Sequence, residues 1–217
     1  MDGDKEPKTS EAVAAWIERA TSSRDRFSDV WDASVVHRQE HGCDVYPGRE
    51  APLFGVLAAA THAQRILEIG CGIGYSALWL SFGSAPDGRL QTVERDSTHV
   101  RLAHENFERK AMSDRIEIIK GEWPTILSTL DPPYDLLTYD AAVPTTDDLE
   151  RFVNLLRRGG MLITSNLFLG QYVPDLPALD SGAAYRDALL SDDRWLTSFA
   201  SEKAVSVLQR PGRWVAA

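Results

Sequence analysis

Four residues at alternate positions carry the strongest chemical signal in this chain: Glu68, Gly70, Gly72 and Gly74. An apolar, branched run from Ile66 to Ile69 leads into them and reads as a buried parallel strand. Tyr75 to Phe82 follows, with Leu78, Trp79 and Phe82 at helical spacing. Strand, glycine turn and helix together build a site. Glycines let the backbone pass close to a ligand, and the start of a helix offers unpaired N–H groups. A carboxylate at the end of the strand attracts a cationic ligand and repels an anionic one.

Two ligand classes use such a turn. Dinucleotides use G-x-G-x-x-G/A, which Gly72, Gly74 and Ala77 meet in its looser form. An NAD-dependent oxidoreductase is therefore one reading. S-adenosylmethionine (SAM) uses E/D-x-G-x-G-x-G, and Glu68, Gly70, Gly72 and Gly74 meet it fully. The amino group of SAM is a cation whereas a dinucleotide carries a diphosphate, so Glu68 favours SAM. Glu94 ends the next strand, where a carboxylate can accept both ribose hydroxyls. Asp140 ends a further strand and supplies a third acid at the same edge.

The elements that position these residues alternate between strand and helix. Glu11 to Ala20 presents Val13, Trp16, Ile17 and Ala20 on one helical face, for packing on the domain or for an acceptor pocket or dimer seam. A second helix is expected from Arg26 to His41, with Phe27, Val30, Trp31 and Val35 inward, and a third from Arg49 to Thr61, with Leu53, Phe54, Leu57 and Ala60 buried. Strands are expected at Ile66–Ile69, Leu90–Val93, Ile116–Ile119, Asp135–Tyr139 and Met161–Thr164. Helices are expected at Thr98–Lys110, Thr146–Leu156 and Gly182–Leu190. Asn166 to Asp180 reads as a long active-site loop. Trp195–Ala200 and Ala204–Gln209, joined by Ser201-Glu202-Lys203, read as an antiparallel hairpin. The sum is an α/β fold: a Rossmann-like, mostly parallel sheet with helices on both faces and a C-terminal antiparallel hairpin. Residues 1–10 are expected to form a disordered tail and residues 11–217 one domain, with 11–44 as its N-terminal helical cap.

Composition bounds the partners. A net charge of −9 disfavours a large nucleic-acid footprint, which needs a basic face. Cys43 and Cys71 are the two cysteines, and Cys71 lies inside the glycine turn, which argues against a disulfide framework and for a reducing, cytoplasmic setting. The apolar stretch Leu53 to Ala60 is too short to span a membrane.

The sequence resembles the class I SAM-dependent methyltransferases, and more narrowly the catechol and caffeoyl-CoA O-methyltransferase family. The resemblance runs from Val45 to Gln209 and is carried by Ile66–Leu80, Leu90–Trp123, Tyr134–Pro144 and Leu155–Gly170. It implies a seven-stranded sheet and methyl transfer from SAM to a hydroxyl of a small molecule. It implies that Glu68 and Gly70 to Gly74 hold the methionine part of SAM, with Tyr75 and Ser76 at the helix start. Glu94 falls at the ribose, Glu122 and Trp123 at adenine, Arg95 and Asp140 are further cofactor contacts, and Val45 closes the pocket from the N-terminal side. Homodimers occur in the family. A SAM-binding or tRNA-modifying relative with altered catalysis is a further reading.

Members of that family hold a divalent cation such as Mg²⁺ with Asp, Asp and Asn, and use a lysine shortly after the first Asp as base. Asp140 matches the first ligand and Asn166 the last, but Ser165 stands where the second Asp belongs. Ala141-Ala142-Val143 replaces the acidic and lysine positions. One carboxylate, one amide and one hydroxyl make a poor cage for a hard cation. The base must then come from elsewhere; His41 is the first candidate, with His37, Tyr172 and Asp175 as others, while His62, His99 and His104 read as solvated.

Overall fold

The computed structural model describes residues 9–43, 45–168, 179–200 and 202–209. Three helices come first: α1 (Ser10–Ser22), α2 (Ser28–His41) and α3 (Ala51–Ala60). Then strand and helix alternate through β1 (Arg65–Ile69), α4 (Tyr75–Gly83), β2 (Arg89–Glu94), α5 (Ser97–Arg109), β3 (Ile116–Lys120), a 3-10 turn (Thr125–Thr129) and β4 (Tyr134–Tyr139). The chain ends through α6 (Thr146–Leu155), β5 (Leu156–Thr164), α7 (Leu179–Ser191), β6 (Trp195–Ala200) and β7 (Lys203–Leu208).

The described strands form one seven-stranded sheet in the order β3-β2-β1-β4-β5-β7-β6. Strands β1 to β5 are parallel, and β7 lies antiparallel to both β5 and β6. The hairpin is thus present, with its second strand inserted next to the parallel part. Its turn is tighter than expected: Ala200 pairs with Lys203, so Lys203 belongs to the strand and not to the connection.

Alternation along β1 sends Ile66 to one face of the sheet and Leu67 and Ile69 to the other. On the first face Ile66, Leu90, Leu136 and Ile163 pack with Phe54, Leu78 and Phe107 of the helices. On the second, Leu67, Leu137 and Leu162 pack with Phe152 and Tyr185. Each fully buried side chain of this size contributes about 1.5–3 kcal/mol of transfer free energy. Glu68 shares the first face with Ile66, so it lies in the core beneath the start of α4.

Four expectations need correction. The apolar face of α1 is not packed away: Val13, Trp16 and Ile17 are exposed. In α3, Ala58 is buried and Ala60 is not, because the inward stripe runs Ala51, Phe54, Gly55, Ala58. Strand β5 begins at Leu156, earlier than the expected Met161, with a shift in the β4–β5 register at Tyr134/Leu136. Helix α7 starts at Leu179, earlier than Gly182. The tail expected over 1–10 lies outside the described residues up to position 8, while Thr9 caps α1. Most of the expected active-site loop, residues 169–178, also lies outside them. No helix among the described residues is long and apolar enough to cross a membrane.

Candidate active site

Strands β1 and β4 are neighbours, yet the chain leaves β1 toward β2 and leaves β4 toward β5. Such a switch point opens a crevice at the carboxyl ends of the two strands. The strand ends are laced together: the Asp140 N–H donates to Ile69 O at 2.8 Å. Gly70 drops into this seam at φ 102°, and a Cβ there would stand 2.6 Å from Asp140 O. Only glycine satisfies both the left-handed backbone and the close approach.

Glu68 is buried at 1% exposure. Its register partners are Thr92 on β2 and Thr138 on β4. Thr92 Oγ1 donates to Glu68 Oε2 at 2.6 Å, and the Ser76 hydroxyl lies close enough to favour the ionised carboxyl. Thr138 Oγ1 is buried without a partner. Burial pushes the Glu68 carboxyl up to about 8, against the two hydroxyls, with Asp140 and Glu94 adding to the rise. Among the described residues no basic side chain pairs with it. An acid enclosed in this way, next to two further acids, is complementary to a cationic guest.

Glu94 sits across the turn. Its Oε2 accepts from the Gly72 N–H at 2.8 Å and its Oε1 from the Asp96 N–H at 2.9 Å. His99 Nδ1 lies 3.6 Å from the same Oε1. At the neighbouring strand ends, Arg95 and Glu122 approach to 3.5 Å as an exposed pair. Trp123 is held differently from the adenine contact expected of it: its Nε1–H donates to Asp148 Oδ1 at 2.8 Å, and its ring stacks on Phe152. The ring belongs to the packing of α6.

Tyr75 also turns away from the turn it follows. Its hydroxyl donates to Asp25 Oδ2 at 2.5 Å and fastens the α1–α2 connection onto α4. Ser76 points the other way, toward Glu68. Val45 lies over the turn, with Cγ1 3.2 Å from where a Gly72 Cβ would stand.

Asp140 closes the site on the β4 side. Asn166 Nδ2 donates to its Oδ1 at 3.0 Å, from a left-handed backbone at φ 62°, and Ser165 bonds the same carboxyl. Two charged groups share the space: Lys203 and Glu50, paired at 2.6 Å. Loss of water pushes the Asp140 carboxyl up to about 6; Glu50 adds to the rise, while Lys203, Asn166 and Ser165 oppose it. The expected base His41 is elsewhere. Its ring lies 4.6 Å from His37, and His37 lies 5.2 Å from His99, beside Glu94. The structure therefore groups His41 with the β2 end and not with Asp140. Tyr172 and Asp175 lie outside the described residues.

With this geometry in hand, residues 34–188 match the family model described as O-methyltransferase. A protein of Mycobacterium sp. (strain KMS) named for that activity is 33% identical over 201 residues, covering 88% of each chain. The chain belongs to the O-methyltransferase family. A similarly named protein of Mycolicibacterium vanbaalenii is 35% identical over 176 residues, covering 76% of this chain and 78% of the relative. Among solved structures, the O-methyltransferase TomG from Streptomyces achromogenes, in complex with SAM, superposes with a TM-score of 0.74 at 24% identity, covering 89% of this chain and 96% of that one. An O-methyltransferase from Bacillus cereus in complex with SAH gives 0.72 at 20% identity, covering 89% and 97%. Family membership decides between the two ligand classes open to the glycine turn and removes the dinucleotide reading.

For this O-methyltransferase, sequence reasoning missed Lys203 and Glu50. Lys203 had been placed in a turn, and Glu50 inside a helix with no assigned role. The signal lies in the sheet register: Ala204 pairs with Thr164, so Lys203 comes to lie over Ser165, whose N–H donates to Tyr139 O at 2.9 Å. The reading of His99 as solvated is corrected as well, since it is 9% exposed and faces Glu94. The donor set at Asp140 does not fit a divalent cation. One carboxylate, with an amide that presents its N–H₂, supplies too few oxygen donors for a hard cation, and the Lys203 ammonium repels it.

Proposed function

We propose that this O-methyltransferase moves the methyl group of SAM onto a hydroxyl of a small molecule with Lys203 in place of a divalent cation. SAM supplies an activated methyl on a sulfonium, so the protein has to bind, orient and handle one proton. Glu68, with Thr92 and Ser76 behind it, receives the amino group of the methionine part. Glu94 receives the ribose hydroxyls by exchanging its bonds to the turn, and Val45 covers the turn from the N-terminal side. Asp140, whose carboxyl is pushed up to about 6 by loss of water, accepts the acceptor's proton. The Lys203 ammonium, paired with Glu50, stabilises the oxyanion as it forms.

The observation that supports this reading best is Glu68: a fully buried carboxyl, bonded by the Thr92 hydroxyl and lacking a basic partner among the described residues, at the end of the first strand. The test is titration calorimetry with SAM and with its demethylated product, followed by methyl transfer to a panel of phenols and catechols with and without EDTA. Micromolar cofactor binding, lost in Gly72→Arg, and turnover that EDTA leaves unchanged support the reading. Absence of cofactor binding sinks it; turnover that stops in EDTA and returns with Mg²⁺ sinks the role given to Lys203.

A further inference from the structure

Next to Glu94, on the side away from the glycine turn's other acids, three metal-ligating side chains meet that no role in methyl transfer uses. His37 lies in the penultimate turn of α2, Cys43 follows that helix, and His99 lies in the first turn of α5. One ligand atom from each lies within 4.8 Å of the other two. We propose that His37, Cys43 and His99 form a binding site for a borderline-soft divalent metal ion of the Zn²⁺ class. The proposal stands independently of the methyl-transfer reading.

Local structure explains how the three meet. Gly42 ends α2 in the left-handed conformation at φ 61°, with its N–H on Arg38 O at 2.8 Å. That cap reverses the chain and returns Cys43 toward the helix it has just left. Helix α2 is held against α5 by Lys110 on Asp29 at 2.7 Å and Arg109 on Asp29 at 3.3 Å, which brings His37 to His99. Their rings stand 5.2 Å apart at 79°. Among the described residues, none of the three makes a side-chain hydrogen bond, although His99 is buried and the other two are half-buried. Three donors with unused lone pairs, gathered at one point, fit an ion better than they fit one another.

The donor chemistry selects the metal. Two imidazoles and a thiolate suit Zn²⁺ or its neighbours and not Mg²⁺ or Ca²⁺, which take oxygen ligands. Zn–N distances of about 2.0–2.1 Å and a Zn–S distance of about 2.3 Å in a tetrahedron put ligand atoms roughly 3.5 Å apart. The present spacing closes to that value by side-chain rotation of the half-buried His37 and Cys43. A carboxylate behind a ligating histidine is the usual second partner, because it fixes the ring and raises its basicity. Glu94 Oε1, 3.6 Å from His99 Nδ1, fills that position and leaves the second ring nitrogen for the ion. Three protein ligands leave the fourth position to water. Because Cys43 stands two residues before Val45, a bound ion would pin the segment that covers Gly72.

The experiment uses the full chain, stripped with chelator, and Zn²⁺ or Co²⁺ as the probe. Competition with a chromophoric chelator should give one Zn²⁺ per chain. His37→Gln, Cys43→Ser and His99→Gln should each weaken binding at least as much as the roughly 10–100-fold that loss of an outer-shell partner costs. His104→Gln, at an exposed position of α5, should leave it unchanged. The Co²⁺ form of the wild type should show intense tetrahedral bands and a near-ultraviolet thiolate charge-transfer band, absent in Cys43→Ser. This spectrum needs no variant to fold. A weak octahedral Co²⁺ spectrum without the thiolate band, or Zn²⁺ binding that Cys43→Ser leaves intact, overturns the proposal.

Discussion

Lys203 Nζ lies 2.6 Å from Glu50 Oε1, so the last strand of the chain is joined to the start of α3 within electrostatic reach of Asp140. A cation on this side of the crevice is what a forming oxyanion needs. Lys203→Met removes the charge and keeps most of the side-chain length. It should lower kcat by about 100- to 1000-fold, the usual loss for one oxyanion-stabilising group. Cofactor affinity should hold, because the ammonium of the cofactor is assigned to Glu68. Calorimetry beside steady-state kinetics separates the two; an undiminished kcat, or an equal loss of cofactor binding, refutes the assignment.

The pH profile follows from Asp140. A base must be ionised to accept a proton, so kcat should rise with pH through about 6 and then level off. Since Lys203 holds that carboxyl down, the residual activity of Lys203→Met should rise at a higher pH than that of the wild type. An inflection that moves to lower pH, or does not move, contradicts the arrangement.

Glu68 links cofactor binding to protons. Its carboxyl sits at about 8 in the folded chain against an ordinary 4.5, chiefly through burial. The raised value means that the folded cofactor-free protein keeps a proton that the unfolded chain releases. The matching stability is full below about 4.5 and is lost as pH rises through about 8. Glu68→Gln cannot titrate and should flatten this part of the stability curve. Pairing with an ammonium favours the ionised acid, so binding near neutral pH should release up to one proton. Calorimetry in buffers of different ionisation enthalpy measures it, and Glu68→Gln should release fewer.

Two glycines with positive φ test the seam between the strand ends. Gly70→Ala meets Asp140 O at 2.6 Å in a left-handed backbone, and should cost about 3 kcal/mol or more. For a chain of this length that is a fall in Tm of about 6–12 °C. Gly42→Ala has the same backbone problem with nothing within 4 Å of the new Cβ, and should cost only about 1 kcal/mol. Equal losses in thermal unfolding would show that conformation, and not the close approach to Asp140, sets the demand at Gly70.

The sheet and most of its helices were legible because apolar periodicity and turn residues agree along this chain, from Ile66–Ile69 through Met161–Thr164. The grouping of Glu68, the glycines and Glu94 was legible for a related reason: they are close in sequence and joined by one strand–turn–helix unit. The Lys203–Glu50 pair was not. Lys203 is brought toward the end of β4 only through the β5–β7 pairing, a contact between residues far apart in sequence, and nothing near Lys203 marks it. Trp123 and Tyr75 were assigned roles by position, but their polar atoms are taken up by Asp148 and Asp25, which no local pattern announces. The exposure of Val13, Trp16 and Ile17 escaped notice because an amphipathic helix reveals that it has an apolar face and not what covers it.

Inserting β7 between β5 and β6 has a consequence for how such an enzyme can diverge. The groups assigned to the donor are encoded before residue 100, and the cation assigned to the nucleophile is encoded near the other end of the chain. Changes in the terminal hairpin can therefore retune which alcohol or phenol reacts, while the machinery that grips the methyl carrier is inherited untouched.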